Sequence, residues 1–348
     1  MTPSAVAVTG SGLAELTCAR LLAGRGHRVR LAPEAPAAAA GPRPLLLNGP
    51  TLELLRSLWG DGLLDGTWGL TEREVVWGAA APARFPQPAV VVEGVRLAAR
   101  IRARLEARTP PPGRTEWTVT ARPPDESHRT HGRRTLLAGT APLAAGQDQR
   151  TARLATARLG WVHLTPLGDG QCLAQAMVPG PAAEPAALLA RLLDESGLGH
   201  VPRQPPDAAV AVPAAPRLHP APARPPSDGT GGVLTVGAGA LRCDPLSGTG
   251  TAQALRTGIL AAAVIDAASK GTPADALCAH YAERLRAAFH EHLRSCALLY
   301  APAFPDPAWR DEIAAARPGE PVHRAAVPTT AVSPVAITGA ITETRPPG

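Results

Sequence analysis

The pattern of this chain predicts an α/β fold: a Rossmann-like nucleotide-binding sheet, an antiparallel β domain, and helices toward the C-terminus. Three stretches carry that expectation. Ala5 to Val8, Thr9-Gly10-Ser11-Gly12 and Leu13 to Ala23 read as strand, turn and helix, and His27 to Ala32 closes a β-α-β unit. Gly160 to Pro179 alternates around a Gly-Asp-Gly turn, the mark of a β-hairpin. Val233 to Val236 enters a small-residue turn and the loop Asp244-Pro-Leu-Ser-Gly-Thr-Gly250, then a long Ala/Leu pattern at helical spacing.

In the first unit, Gly10-x-Gly12 lies between strand and helix, the context that gives a bare glycine pattern meaning. The first glycine permits the tight turn, and the second lets backbone approach a pyrophosphate. The third position of that fingerprint calls for Gly or Ala but holds Glu15. A carboxylate in a first helical turn suits the helix dipole, yet it repels a bound pyrophosphate. The second strand should end on an acidic residue that holds ribose hydroxyls. Pro33 stands there, with Glu34 one place late. Glu34 reads equally as the ribose ligand or as a solvated turn residue.

Leu45 to Asn48 and Thr51 to Leu58 read as a strand and an amphipathic helix. Val75 to Gly78 is followed by a Pro-interrupted loop, then Val90 to Glu93 and an Arg-faced helix from Arg96 to Arg108. Its arginines recur every four residues, the spacing of one solvated face. Thr135 to Gly139 reads as a remnant of a nucleotide-domain strand, Leu188 to Leu193 as a helix, and Pro202 to Pro226 as a Pro-rich crossing. Little other strand material is evident between 110 and 180. Tyr281 to Tyr300 forms a late helix, and the last thirty or so residues are Pro/Ala/Thr-rich, a composition that predicts disorder.

Composition narrows the function classes. The 348 residues suffice for two domains or one large one with an inserted sheet. The 35 basic residues give a net charge of +6 but include a single lysine, Lys270, and no basic run interleaved with aromatics, which argues against nucleic-acid binding. The five cysteines (Cys18, Cys172, Cys243, Cys278, Cys296) show neither Cys-x-x-Cys nor metal-ligand spacing and read as reduced thiols. His290 and His292 lie two apart on a helix and share no face. No apolar run reaches membrane-spanning length and no secretory leader is evident, so the expectation is a cytoplasmic protein without metal.

The Gly237 to Gly250 segment resembles the second flavin-binding motif of FAD-dependent monooxygenases and of tryptophan-halogenase-like and geranylgeranyl-reductase-like flavoproteins. That motif runs Gly-Asp-Ala-Ala, then Asp-Pro-Leu-Ser-Gly-x-Gly; Ala238 stands here for its Asp. Together with Gly10-x-Gly12, Trp77-Gly78, Gly160-Trp161 before Pro166, and Tyr281, Tyr300 and Trp309-Arg310, the resemblance covers roughly residues 5 to 310. It is strongest to the small maturation flavoproteins that oxidise Trp to build cysteine tryptophylquinone (the lysine/glycine oxidase maturation type). The resemblance implies an FAD-binding Rossmann-like domain of the GR2, p-hydroxybenzoate-hydroxylase type, with a reduced antiparallel β substrate domain and C-terminal helices. The corresponding segments are 1–88, 89–150, 151–226 and 227–316, with a tail at 317–348.

The resemblance further implies FAD as cofactor, contacted by Gly10, Gly12, Glu34, Gly237, Ala238, Pro245, Ser247, Gly248 and Gly250. Asp244 reads as a turn cap. His163 reads either as a proton relay near substrate or as an ordinary strand histidine. The implied activity is oxidation, by a monooxygenase, of an indole or a peptide-borne Trp. Halogenation is set aside, because Lys270 lies in a turn after a helix and the halogenase Trp-x-Trp-x-Ile-Pro motif is absent. Glu15, Pro33 and Ala238 each weaken a distinct contact to the cofactor: pyrophosphate, adenosine ribose and ribityl chain. Each lost charge-assisted hydrogen bond is worth about 1.5–3 kcal/mol, so two lower affinity roughly a hundredfold to ten-thousandfold. The alternative is therefore a flavin-free homologue that serves as a binding or scaffold subunit beside a protein partner.

Overall fold

The computed structural model describes residues 3–32, 44–105, 115–122, 128–227 and 230–317. Strand β1 (Ala5–Thr9) leads to α1 (Leu13–Gly24) and β2 (Arg28–Ala32). β3 (Pro44–Asn48) enters α2 (Gly49–Trp59), whose start is set by Asn48: its Oδ1 accepts from the Thr51 hydroxyl at 2.8 Å. The long strands β4 (Trp68–Val76) and β5 (Ala83–Glu93) come next, then α3 (Gly94–Ala103), capped by Glu93, which accepts from the Arg96 amide at 2.9 Å. β6 (Trp117–Thr120), β7 (Arg129–Thr130), β8 (Thr135–Pro142), β9 (Thr151–Ala157), β10 (Gly160–Pro166) and β11 (Gln171–Val178) follow. Helix α4 (Pro185–Glu195) precedes β12 (Val210–Pro213), β13 (Arg217–Leu218), β14 (Ala223–Arg224) and β15 (Gly232–Thr235). Then come α5 (Gly237–Ala240), β16 (Leu241–Arg242), α6 (Gly250–Ser269), α7 (Ala274–Ala303) and α8 (Arg310–Ala315).

These elements form two compact units. The first holds residues 1–67, 92–130 and 216–291; the second holds 68–91, 131–215 and 292–348. The core of the first is the sheet β14-β15-β6-β1-β2. β2, β1, β6 and β15 run parallel, with Val6 opposite Val29 and Trp117, and β14 adds an antiparallel edge. The β-α-β expectation for residues 5–32 holds. Helix α6 lies on α1 so closely that a Cβ on Gly258 would collide with the Ala14 carbonyl, which makes Gly258 a packing requirement rather than a flexible joint. Tyr281 is fully buried and donates to the Thr235 carbonyl at 2.7 Å, tying α7 to the end of β15. Arg96, Arg100 and Arg104 are exposed, as the four-residue spacing predicts, and Arg100 reaches over to the carbonyls of Leu63 and Asp65.

Within the second unit the strand order is β12-β8-β11-β10-β9-β4-β5. The hairpin at 160–178 is present, with Trp161 opposite Met177 and His163 opposite Gln175. β8 and β9 extend it beyond what periodicity showed. Thr151–Ala157 is buried at five of seven positions, so its strand lacks the alternation that marks a half-exposed one. Two expectations change. Thr135 to Gly139 is no nucleotide-domain strand: it lies in β8, paired with β11 and β12, and β6 takes the place beside β1. The Pro-interrupted stretch before Val90 is mostly strand, because β5 begins at Ala83 and tolerates Pro86 and Pro88 around a register shift.

One face of this sheet packs on α4 through Val162, Leu164, Ala174, Ala176, Leu189 and Leu192. Aromatic residues gather elsewhere in the same unit. The Trp309 ring stacks on Phe304 at 4.4 Å and on Tyr300 at 4.7 Å. Trp161 donates to the Tyr300 hydroxyl at 3.1 Å, and Trp77 and Trp309 donate to the carbonyls of Leu299 and Leu159. Every indole N–H in the cluster thus has an acceptor, which is the condition for burying it without loss. Beside it Arg134, wholly buried, lies 3.2 Å from Glu312, which also accepts from the Arg133 amide at 2.6 Å. Glu312→Ala strands that guanidinium and is expected to lower stability by about 3–5 kcal/mol, read as a fall in the thermal unfolding midpoint; an unchanged midpoint would remove this pair from the account of the fold.

Candidate functional site

The site implied by the sequence is built at the C-terminal ends of β1 and β15, which are parallel and separated only by β6. Such an edge is where open α/β sheets bind ligands. Gly10 takes φ +124, a conformation only glycine adopts easily, and Gly12 precedes α1 without a side-chain cap. The Glu15 side chain lies over this turn. It is 4 % exposed, and a Cβ on Gly12 would lie 2.6 Å from one of its carboxylate oxygens. A Cβ on Gly10 would strike the other oxygen. The carboxylate therefore occupies the concavity between the two glycines, where it sits as an internal anion at the helix N-terminus. Burial, with Glu15 second, pushes the nearby Cys18 thiol far above its ordinary range.

At the second turn the Gly237 amide, at φ +59, donates to the Thr257 hydroxyl of α6 at 2.8 Å. Ala238 is exposed on α5, so the missing acidic side chain would have had space to project. The loop that follows is rigidly held from below. Asp244 is buried and its Oδ1 accepts from the Leu246 amide at 2.9 Å, as expected of a cap. The Ser247 hydroxyl donates to the Asp244 carbonyl at 2.8 Å, and Gly248 turns the chain at φ +60. Pro245, Gly248 and Gly250 form the exposed side, and a Cβ on either glycine would meet nothing within 4 Å. Helix α6 starts at Gly250 with no side-chain cap, leaving first-turn amides for a ligand. Cys243 beneath the loop is driven up to about 12 by burial and stays a neutral thiol.

The first unit thus brings together Gly10, Gly12, Gly237, Ala238, Pro245, Ser247, Gly248 and Gly250. Pro33 and Glu34 lie outside the described residues. Among the described residues no group of three or more His, Cys, Asp or Glu is arranged to hold a metal ion, and no helix is long and apolar enough to cross a membrane.

His163 lies in the second unit, in the middle of β10 and on the face opposite α4. Its Nδ1 is 3.3 Å from the Thr165 hydroxyl, and Nε2 ends without a hydrogen-bonded partner. Burial, then the positive charge of Arg73, lowers its pKa to about 3, against a weaker upward pull from Gln175. Sequence reasoning passed over Arg73. The signal was present: after the irregularity between Leu70 and Glu72, Arg73 falls in phase with the inward residues Val75 and Trp77.

Comparison with known proteins adds a third line. No family model and no curated protein matches the chain. Among solved structures it is similar to CmlS, a flavin-dependent halogenase, with TM-score 0.70 and 19 % identity over 92 % of this chain and 68 % of that one. It is similar to the peptidyl tryptophan dihydroxylase QhpG, essential for tryptophylquinone cofactor biogenesis, with TM-score 0.67 and 19 % identity over 89 % of this chain and 79 % of that one. The third is Klebsiella pneumoniae HpxO, solved with FAD and uric acid, with TM-score 0.62 and 14 % identity over 89 % and 92 %. The chain has the fold of flavin-dependent halogenases and hydroxylases. At such identities the fold is what is shared.

The ring-side loop fits a flavin. The tail side does not as it stands, because Glu15 fills the place of the pyrophosphate and repels it. Glu15→Gly is expected to tighten FAD binding at least tenfold in a fluorescence-quenching titration, about 1.4 kcal/mol, and Ala238→Asp to tighten it further. Equal affinity in Glu15→Gly and the parent chain would show that the carboxylate is no competitor. For His163 the sign of the pH effect follows from its lowered pKa. The unfolded chain takes up a proton near 6.5, whereas the folded one resists until about 3. Stability contributed by the neutral ring is therefore full above 6.5 and falls as pH drops through that window. His163→Leu should flatten this part of the stability–pH curve, which denaturant unfolding at several pH values measures directly.

Proposed function

We propose that the chain is an FAD-dependent oxidoreductase of the monooxygenase kind, acting on an indole or a protein-borne Trp side chain. The observation that carries this reading is the Asp244–Gly250 loop. It is held from beneath by Asp244 and Ser247, is open on its Pro245, Gly248 and Gly250 side, and feeds uncapped amides at the start of α6. Amides in that arrangement stabilise negative charge on an electron-rich ring by the logic of an oxyanion site. FAD, when bound, supplies the redox and oxygen chemistry, and the protein contributes position and exclusion of water. Likeness to a peptidyl tryptophan dihydroxylase supports the choice of substrate class.

Glu15 supports a second reading, a flavin-free homologue that keeps the fold as a binding or scaffold subunit. An anion already lodged between Gly10 and Gly12, with Ala238 lacking a carboxylate for the ribityl chain, makes the tail of the cofactor costly to hold. The two readings part on one measurement. Purified chain that keeps a flavin absorbance band through desalting, or saturates with added FAD, is the enzyme. Chain that stays colourless and shows no saturation with FAD is the scaffold, and the oxidoreductase reading then fails.

A further inference from the structure

The second unit buries a cation that no carboxylate neutralises among the described residues. Arg73 sits in β4 at 9 % exposure. Its Nη1 is 3.5 Å from the Gln87 amide oxygen, at the limit of a hydrogen bond, and its Nε has no partner. Glu72 and Glu74, its neighbours in sequence, point to the other face and are taken: Glu72 by Arg84, and Glu74 by Arg153 at 3.6 Å. No ion pair links Arg73 to a carboxylate among the described residues. Burial alone lowers its pKa to about 10, which leaves it charged at neutral pH.

His163 shares the Arg73 face. Arg73 stands opposite Ala152 of β9, and His163 opposite Leu154 of the same strand, so both project to one side. There His163 presents an unpartnered Nε2, with Gln175 directly across the ladder. Two buried nitrogens without acceptors, on one sheet face and beside amide and hydroxyl groups, form an array that lacks an anion. A buried charge left unpaired is costly, and proteins keep such strain where a ligand relieves it.

We propose that Arg73, with His163 and Gln175, binds an anionic oxygen, a carboxylate, of the molecule the protein acts on. This rests on the proposed function and selects a free aromatic acid over a Trp residue inside a polypeptide, whose own α-carboxyl is tied up in a neutral amide. Arg73 makes the charge-assisted contact, and the neutral His163 ring donates from Nε2 while Nδ1 accepts from Thr165. The acid keeps its proton off throughout and no bond is made or broken.

The test uses indole-3-acetate and its uncharged amide as probes, titrated into the full chain with and without FAD. The expected result is a tenfold to hundredfold preference for the acid, with a shift of the His163 ring signal in the NMR spectrum that saturates with it. Arg73→Met should abolish the preference and Arg73→Lys should retain part of it. The thermal midpoint separates ligand binding from a structural role. Arg73→Met should unfold at the same or a higher temperature, since it removes an unneutralised charge, whereas a structural arginine would lower it. Equal binding of acid and amide, no saturable binding of the acid in either condition, or a preference that survives Arg73→Met overturns the proposal. A chain that ignores FAD yet prefers the acid loses the oxidoreductase reading and keeps this one.

Discussion

The first unit depends on how closely α6 approaches α1. Gly258 has no side chain because the Ala14 carbonyl occupies the space one would need. The neighbouring Thr257 uses its hydroxyl to hold the Gly237 amide. These two contacts, one steric and one polar, fix the helix that follows the second glycine turn against the helix that follows the first. The parallel arrangement of β1, β6 and β15 then brings both turns to one edge. The two glycine turns meet at one sheet edge, where open α/β sheets bind ligands, through packing alone.

What occupies that edge is decided by charge. A helix start attracts an anion whatever its source, and α1 has recruited Glu15 from its own first turn. The carboxylate is connected to the helix it stabilises, so it needs no association entropy, whereas a bound pyrophosphate does. At the other turn the chain has kept the opposite policy. Asp244 accepts from the Leu246 amide and Ser247 from the Thr249 amide inside the loop, and those at the start of α6 are left without a side-chain cap. The two turns are thus tuned in opposite directions toward an anion: one is already occupied by a carboxylate of the chain, and the other is left open.

The second unit shows how far polar groups can be buried when each is answered. The three indoles of Trp77, Trp161 and Trp309 all find oxygen acceptors, and Arg134 has Glu312. Against that standard Arg73 and His163 stand out, since among the described residues Arg73 Nε and His163 Nε2 have no hydrogen-bond partner. Low dielectric surroundings raise the energetic penalty of an unanswered group and equally raise the value of the ligand that answers it.

Sequence by itself determined the β-α-β unit, the hairpin at 160–178, the Asp244 cap and the loop from Asp244 to Gly250 that leads into α6. Each is a local pattern in which periodicity, turn glycines and caps agree over a few residues. It also marked Glu15 and Ala238 as departures, because a fingerprint position is legible without coordinates. Tertiary structure alone decided where Thr135 to Gly139 pairs, that Thr151 to Ala157 is a strand, and that Glu15 lodges between Gly10 and Gly12 rather than facing solvent. It alone put Arg73 and His163 on one face. Pairing between strands distant in sequence has no local signature, and a residue buried on both sides shows no alternation to read. The charge that Arg73 carries is legible in the sequence; that no carboxylate among the described residues neutralises it is decided by the sheet, which turns Glu72 and Glu74 the other way.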